Sequence, residues 1–379
     1  MEAKAVKVAI SSHMKFVQIY NYASHYKSTI HRLLDRELGG DFVIGDLKTD
    51  VKEMDLTIPS LKVTKLHILQ LGKTKYMKGM PGLIRDDYDT YLIGDEIRDI
   101  AFWFFLIRKN LFHRKKRVFG WGHGMLGKES KAKQTLYKWF FNMMDGAFVY
   151  NERSCKLMVE RGVKTKLYPI YNSLDYDKQL TLRNSLTSSG LYKDHFGNEN
   201  KNIVFIGRLT KVKRFDLLIE AVSLLKERGE LINVTFIGDG VERENMEKMV
   251  AEKGLTNQIW FYGACYDEKT NAELIYNADL CVSPGNIGLT AMHVLMFGCP
   301  AITNDDFNHQ MPEFEAIQDG KSGAFFRAGD SSSLANVIQE WFSCHNTDRE
   351  QVREACYKEI DSKWNPHNQI NTFKKAILG

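Results

Sequence analysis

Apolar positions along this chain follow two rhythms: short unbroken runs, and longer stretches in which they recur every three or four residues. "VKVAISS" (7–12) reads as a buried strand and "VQIYNYASHYKSTIHRLLDREL" as an amphipathic helix. After "DFVIGD" (41–46) the alternation repeats through "DTYLIGDE", a helix at about 97–112, "RVFGWGH", a helix at about 130–143, then "GAFVYN", "SCKLMVERG" and "KLYPIYN". Strands separated by helices predict parallel pairing with right-handed crossovers, hence an α/β, doubly wound domain. Residues 174–200 are polar, lack an apolar strand and read as a linker. The rhythm then restarts with "NIVFIGRL", a helix at 214–228, "INVTFIGDG", a helix at 241–253, "IWFYG", a helix at 267–276, "ADLCVSP", a helix at 288–297 and "PAITND". The predicted organisation is two Rossmann-like domains facing a cleft. The first is 1–173, joined by the C-terminal helix 364–379; the second is 201–363. Pro366 is expected to interrupt or redirect a helix near the end.

Composition narrows the setting without changing this picture. At 379 residues, with 44% hydrophobic and 26% charged residues, the chain has the length of two ordinary globular domains. Its six cysteines are scattered, with no CxxC pair or zinc-type spacing, which predicts reduced thiols. No apolar run of about 18 residues is present. The N-terminal "MEAKAVKVAISS" lacks the apolar region of a signal peptide, so a cytoplasmic location is expected. The net charge of +5 is uneven. "AFWFFLIRKNLFHRKKR" and "KAKQTLYKWFFNMM" mix aromatic with basic residues. Their apolar side chains either pack under the sheet beneath a solvated charged face, or rest on an anionic membrane surface at the inner side of the cell membrane. No nucleic-acid partner is expected.

The commonest chemistry of such sheets fails first. "SSHMKF" has no glycine, "IGDGVERENM" lacks the dinucleotide-binding glycine triplet, and no GxxxxGK[ST] occurs. What occurs is "IGRLTKVKRFDLLIEA" (206–221). A strand ends in Gly207, the chain turns, and Arg208 and Lys213 flank the entrance to a helix. Two cations beside unpaired helix N–H groups suit a diphosphate; a solvated basic turn is the plainer alternative. In "SPGNIGLTAMHVLMFGCP" the helix beginning after Gly288, at Leu289, offers a similar N-terminus. In "VFGWGHGMLG", His123 stands between glycines at a strand end, which exposes it, unlike a core histidine.

"GRLTKVK", "FIGDGVERENMEKM", "IWFYG", "ELIYNADLCVSP", "GLTAMHVLMFGCPAI" and "MPEFEAIQDGKSGAFF" arrive in an order that resembles retaining glycosyltransferases of the GT-B fold, family 4. The resemblance is strong over about 200–330 and looser before. It implies a sugar moved from a nucleotide sugar to a glycan or lipid-linked acceptor, as in cell-surface polysaccharide or lipopolysaccharide synthesis, without cofactor or metal. Arg208, Lys213, Gly288 and Leu289 would meet the diphosphate. Gly207, Gly240, Tyr262, Gly285, Asn286, His293 and Glu313 would line the sugar and nucleotide. His123 would approach the donor sugar as the catalytic-side histidine. Asp95 and Glu96, at the end of "LIGDE", would serve the acceptor, although Asp95 also suits a helix N-cap. Family members usually carry two glutamates with seven residues between them across the 283–300 loop; Gly285 and His293 hold those places here. That departure leaves two rivals: a catalytically weakened sugar-nucleotide-binding protein, or another enzyme on this fold such as a sugar-nucleotide epimerase or a phosphorylase.

Overall fold

The computed structural model describes residues 14–49, 52–56, 62–346 and 348–379. The strand read at 7–12 lies outside them. The chain divides into two units, one running to Asp175 and taking in Asn365–Gly379, the other Tyr176–Trp364.

In the first unit the order is β1 (Phe16–Tyr20), α1 (Ser28–Leu38), β2 (Asp41–Gly45), β3 (Val63–Leu66), β4 (Ile68–Leu71), β5 (Thr74–Met77), β6 (Thr90–Gly94), α2 (Ile100–Phe112), β7 (Arg117–Gly122), α3 (Lys131–Asn142), β8 (Gly146–Val149), α4 (Glu152–Glu160) and β9 (Leu167–Pro169). Seven described strands form a parallel sheet ordered β3-β2-β1-β6-β7-β8-β9. Val17 and Ile19 of β1 enter one apolar cluster, Phe16 and Tyr20 the other, so the strand is covered on both faces. This corrects the helix expected from Val17 onward: helix α1 starts only at Ser28. An antiparallel hairpin, β4 with β5, was not foreseen. The cap of α2 is Asp99, whose carboxylate accepts from Ala101 N at 3.0 Å, and not Asp95.

The second unit runs through α5 (Tyr176–Arg183), α6 (Leu191–Phe196), β10 (Lys201–Ile206), α7 (Phe215–Glu227), β11 (Ile232–Ile237), α8 (Arg243–Glu252), β12 (Ile259–Gly263), α9 (Glu268–Asn277), β13 (Leu280–Ser283), α10 (Leu289–Met296), β14 (Ala301–Asn304), β15 (Gly323–Phe326), α11 (Ser331–Cys344) and α12 (Arg349–Ser362). Its sheet, again parallel, is ordered β12-β11-β10-β13-β14-β15. The polar stretch read as a linker is helical and folded into this unit. The Tyr192 hydroxyl donates to Leu274 O at 2.7 Å, and Arg183 grips Asp361 with two bonds of 3.0 and 2.9 Å. The last helix, α13 (Pro366–Leu378), returns to the first unit, where Phe373 packs on Trp121 and Phe148. Pro366 opens this helix instead of breaking one, in the first turn where its missing N–H costs nothing.

Candidate donor site in the second unit

Strand order sets the location. β10 lies between β11 and β13, so the chain reverses its direction of travel across the sheet there, and the connections from β10 to β11 and from β13 to β14 run toward opposite edges of the sheet. Open α/β sheets bind ligands at such a switch point. The two loops are 207–214 and 284–288, the two stretches that carry the basic residues and the glycine turn.

The first loop is fixed by backbone. Gly207 N donates to Ile237 O at 3.0 Å and Leu209 N to Asp239 O at 2.9 Å. Gly240 packs so closely that a Cβ there would overlap the Leu209 carbonyl oxygen. Its lack of a side chain therefore serves the seating of one loop upon another. Beyond a short 3-10 turn at Lys211–Lys213, Arg214 adopts left-handed φ 54°, ψ 45° and turns the chain into α7. Arg208 is exposed, and Lys213 is half-buried.

The two loops meet through Lys213. Its Nζ donates to Asn286 O at 2.6 Å, with a longer contact of 3.4 Å to Ile287 O. The return bond runs from Gly285 N to Lys213 O at 2.8 Å. The carbonyl of Gly285 accepts from Thr303 Oγ1 (3.1 Å), Asn304 Nδ2 (2.9 Å) and Gln310 Nε2 (3.2 Å). The turn ends in Gly288 at φ 56°, ψ −145°, and α10 begins with Leu289 and Thr290 half-exposed. Thr290 Oγ1 is anchored on Ile206 O at 2.9 Å. Among the described residues no side-chain cap meets this helix start, and the Lys213 ammonium lies on the loop that leads into it. Such an end holds anions.

Burial pushes the Lys213 pKa down to about 8; nearby Arg208 adds to the fall, while Cys281 and Glu313 oppose it. Glu313, wholly buried, sits on a 3-10 turn at Pro312–Ala316. Because the cation exists only below its pKa, anion affinity is highest under pH 8 and falls as pH rises through it. Inorganic pyrophosphate titrated between pH 7 and 9.5 should lose up to about tenfold in affinity per pH unit above 8. Calorimetry checks this, and Lys213→Met should flatten the profile.

His293 lies one turn beyond Leu289 on the half-exposed face of α10. Its Nε2 is 3.0 Å from Glu268 Oε1, and Gln179 Nε2 donates to the same carboxylate at 2.8 Å. Desolvation pushes the Glu268 pKa up, but the hydrogen bonds from His293 and Gln179 more than offset it and hold it below the usual range. A carboxylate thus stands beside His293 after all. The sequence hid it, because Glu268 opens α9 directly after the cap Asp267 and looks like any first-turn acid. Tyr262, on edge strand β12, packs edge-on against Trp260 at 5.1 Å.

The remaining candidates belong to the first unit. His123 follows β7, half-buried, its ring edge-on to Tyr150 at 4.9 Å. Asp95 accepts from Gly124 N at 2.9 Å and a Cβ at Gly122 would overlap its carboxylate, so it clamps the turn that carries His123. Burial raises the pKa of both Asp95 and Glu96; Glu96 has Lys75 at 3.9 Å. A hollow of about 440 Å³ after β1 and β2, lined by Tyr22, Asp46, Lys48, Glu53 and Lys65, had no sequence signal.

Residues 193–359 match the family model of glycosyl transferases group 1. That match lies wholly within the second unit, Tyr176–Trp364. The matched span takes in the 207–214 and 284–288 loops. EpsD of Bacillus subtilis is 29% identical over 153 residues, covering 40% of this chain, and the chain spans only 38% of that relative's length. Two solved structures superpose on almost the whole chain. HepE of Anabaena in complex with UDP has a TM-score of 0.70 at 15% identity, covering 96% of this chain and all of its own. The lipopolysaccharide outer core galactosyltransferase WaaB has a TM-score of 0.69 at 14% identity, covering 96% and 99%. With two Rossmann-like units, the chain has the GT-B fold.

Proposed function

We propose that this protein is a glycosyltransferase that moves a sugar from a nucleotide sugar to a glycan or lipid-linked acceptor, with retention at the anomeric carbon. The observation that carries the proposal is Lys213, its ammonium bound to the loop that opens α10, beside helix N–H groups left without a cap. In the reaction the bond from the anomeric carbon to the diphosphate oxygen breaks, and the nucleoside diphosphate leaves with the electron pair. The acceptor oxygen bonds the anomeric carbon on the same face, and its proton passes to the departing phosphate. The chain's part is to stabilise charge growing on the diphosphate, which preorganised donors do best in a partly dry site. Arg208, Lys213 and the Leu289 end of α10 would do this without a metal ion. Asn286 would meet the sugar and His293, with Glu268, the ribose; His123, Asp95 and Glu96 would serve the sugar and acceptor.

The names of WaaB and of LpsE of Rhizobium meliloti, a lipopolysaccharide core biosynthesis glycosyltransferase, support a place in surface polysaccharide or lipopolysaccharide synthesis, on the cytoplasmic side of the membrane. UDP is the base to try first, since HepE was crystallised with it. A thermal-shift screen of nucleoside diphosphates, followed by turnover of the best nucleotide sugar in EDTA, tests the proposal. Arg208→Ala, being exposed, should cost about tenfold in kcat/KM. Unchanged melting with every diphosphate would refute it. Gly285 and His293 in place of acids favour one rival, a sugar-nucleotide-binding protein without catalysis, which would show the thermal shift and no turnover.

A further inference from the structure

Helix α2 is apolar on the side that faces away from the core as well as the side that enters it. Ala101, Phe102, Phe105 and Leu106 are buried, while Phe104, Ile107, Leu111 and Phe112 are 51%, 42%, 59% and 75% exposed. With Ile100, positions 104, 107 and 111 recur at spacings of four, three and four, a single stripe along the helix. Helix α3 adds Leu136 and Trp139, 44% and 58% exposed and three residues apart. The helices are neighbours: Trp103 packs on Phe140 at 5.1 Å, and Asn110 Nδ2 donates to Met143 O at 2.8 Å. A monomeric protein seldom leaves so many large apolar side chains together in water.

Charge says what covers them. Between Asp99 and Asp145 the sequence has ten lysines and arginines and one acid, Glu129. That acid is turned inward, accepting from Leu126 and Gly127 N–H groups at 2.9 Å each. Lys109 is spent on Asp145 at 2.8 Å, and Lys116 on the acidic loop at Asp86 and on Tyr91. Arg114, Lys115, Lys128 and Lys131 remain exposed, with no carboxylate partner among the described residues. A second copy of this face would set like charges against like. Two neighbouring helices with exposed aromatic and aliphatic side chains, carrying or flanked by exposed Arg114, Lys115, Lys128 and Lys131, match an anionic layer with an apolar interior.

We infer that the outer faces of α2 and α3 dock on an anionic lipid bilayer, with Phe104, Leu111 and Trp139 entering the headgroup boundary and Arg114, Lys115, Lys128 and Lys131 pairing with lipid phosphates. No described helix is long and apolar enough to cross a membrane, so this is contact with one leaflet. The inference stands apart from the proposed reaction, because lipid binding is measured without donor.

The test is sedimentation with vesicles of equal phosphatidylglycerol and phosphatidylcholine against vesicles of phosphatidylcholine alone. At about 20 mM salt the anionic vesicles should bind at least about tenfold more protein, and about 0.5 M salt should remove most of the excess. The triple change Phe104→Ser, Leu111→Ser, Trp139→Ser should cut binding about tenfold while melting and UDP binding stay unchanged, since all three side chains are exposed. Lys115→Gln with Lys131→Gln should weaken the salt dependence. No binding to anionic vesicles at low salt, or equal binding to both kinds, overturns the inference. So does binding to soluble polyglutamate in place of vesicles, or a dimer that the triple change dissolves. Unchanged melting with every nucleoside diphosphate, with vesicle binding intact, would overturn the proposed function alone.

Discussion

Replacing Lys213 by methionine is expected to lower kcat/KM with the cognate nucleotide sugar about a hundredfold to a thousandfold, the range seen when one preorganised donor to a developing anion is removed. Methionine keeps an unbranched apolar stem, which preserves the contact beneath the ammonium, 5.9 Å above the Phe205 ring. What disappears is a charge already half out of water and already aimed at the loop that opens α10, bound to Asn286 O at 2.6 Å. Removing one member of a desolvated charged pair costs roughly 2–5 kcal/mol, against 1.4 per factor of ten. Exposed Arg208 pays less desolvation and is screened by salt, which is why its loss should cost only about tenfold. Steady-state kinetics on both variants, with circular dichroism to establish that each is folded, measures the difference. Near-normal turnover in Lys213→Met would remove the lysine from the donor site.

The unequal weights of these two cations were not visible in "GRLTKVK", where both are basic residues of one turn. Their difference arises from the meeting of the 207–214 and 284–288 loops, more than 70 residues apart in the chain. Elements specified by local pattern were legible. The helix read at 214–228 is α7 at Phe215–Glu227, and the helix read at 288–297 is α10 at Leu289–Met296. At the other end of the chain the same method failed. Phe16–Tyr20 is apolar at all but Gln18, and a strand covered on both faces cannot be told from the first turn of a helix by period alone. Residues 174–200 failed differently: their helices are polar and short, held by Tyr192 and Arg183 reaching into the second unit rather than by an apolar stripe. Glu268 was missed because its partner His293 is 25 residues away on another helix.

Placing a glutamate at position 285 is expected to damage the protein. Gly285 is buried, and a Cβ built on it would overlap the Val212 carbonyl oxygen and come within 2.8 Å of the Lys213 Cα. These are backbone atoms, so no rotamer change makes room. The 211–213 turn would have to move, breaking the Gly285 N to Lys213 O bond of 2.8 Å and drawing Lys213 away from Asn286 O. Forced overpacking costs about 1–3 kcal/mol, and the broken backbone bond leaves a buried N–H at about 1–3 kcal/mol more. A total near 3 kcal/mol should lower the melting temperature by roughly 6–12 °C for a unit of this size. The clash begins at Cβ, so Gly285→Ala should bear most of the loss and Gly285→Glu little beyond it; UDP affinity should fall in both, because the displaced turn carries the lysine. Scanning calorimetry of the two variants decides the matter: an alanine variant melting with the wild type would mean that the loop has space. If both melt early, the glycine is the condition for Lys213 to lie against the loop that opens α10, and the absence of a side chain at 285 is what ties the cation to that helix end.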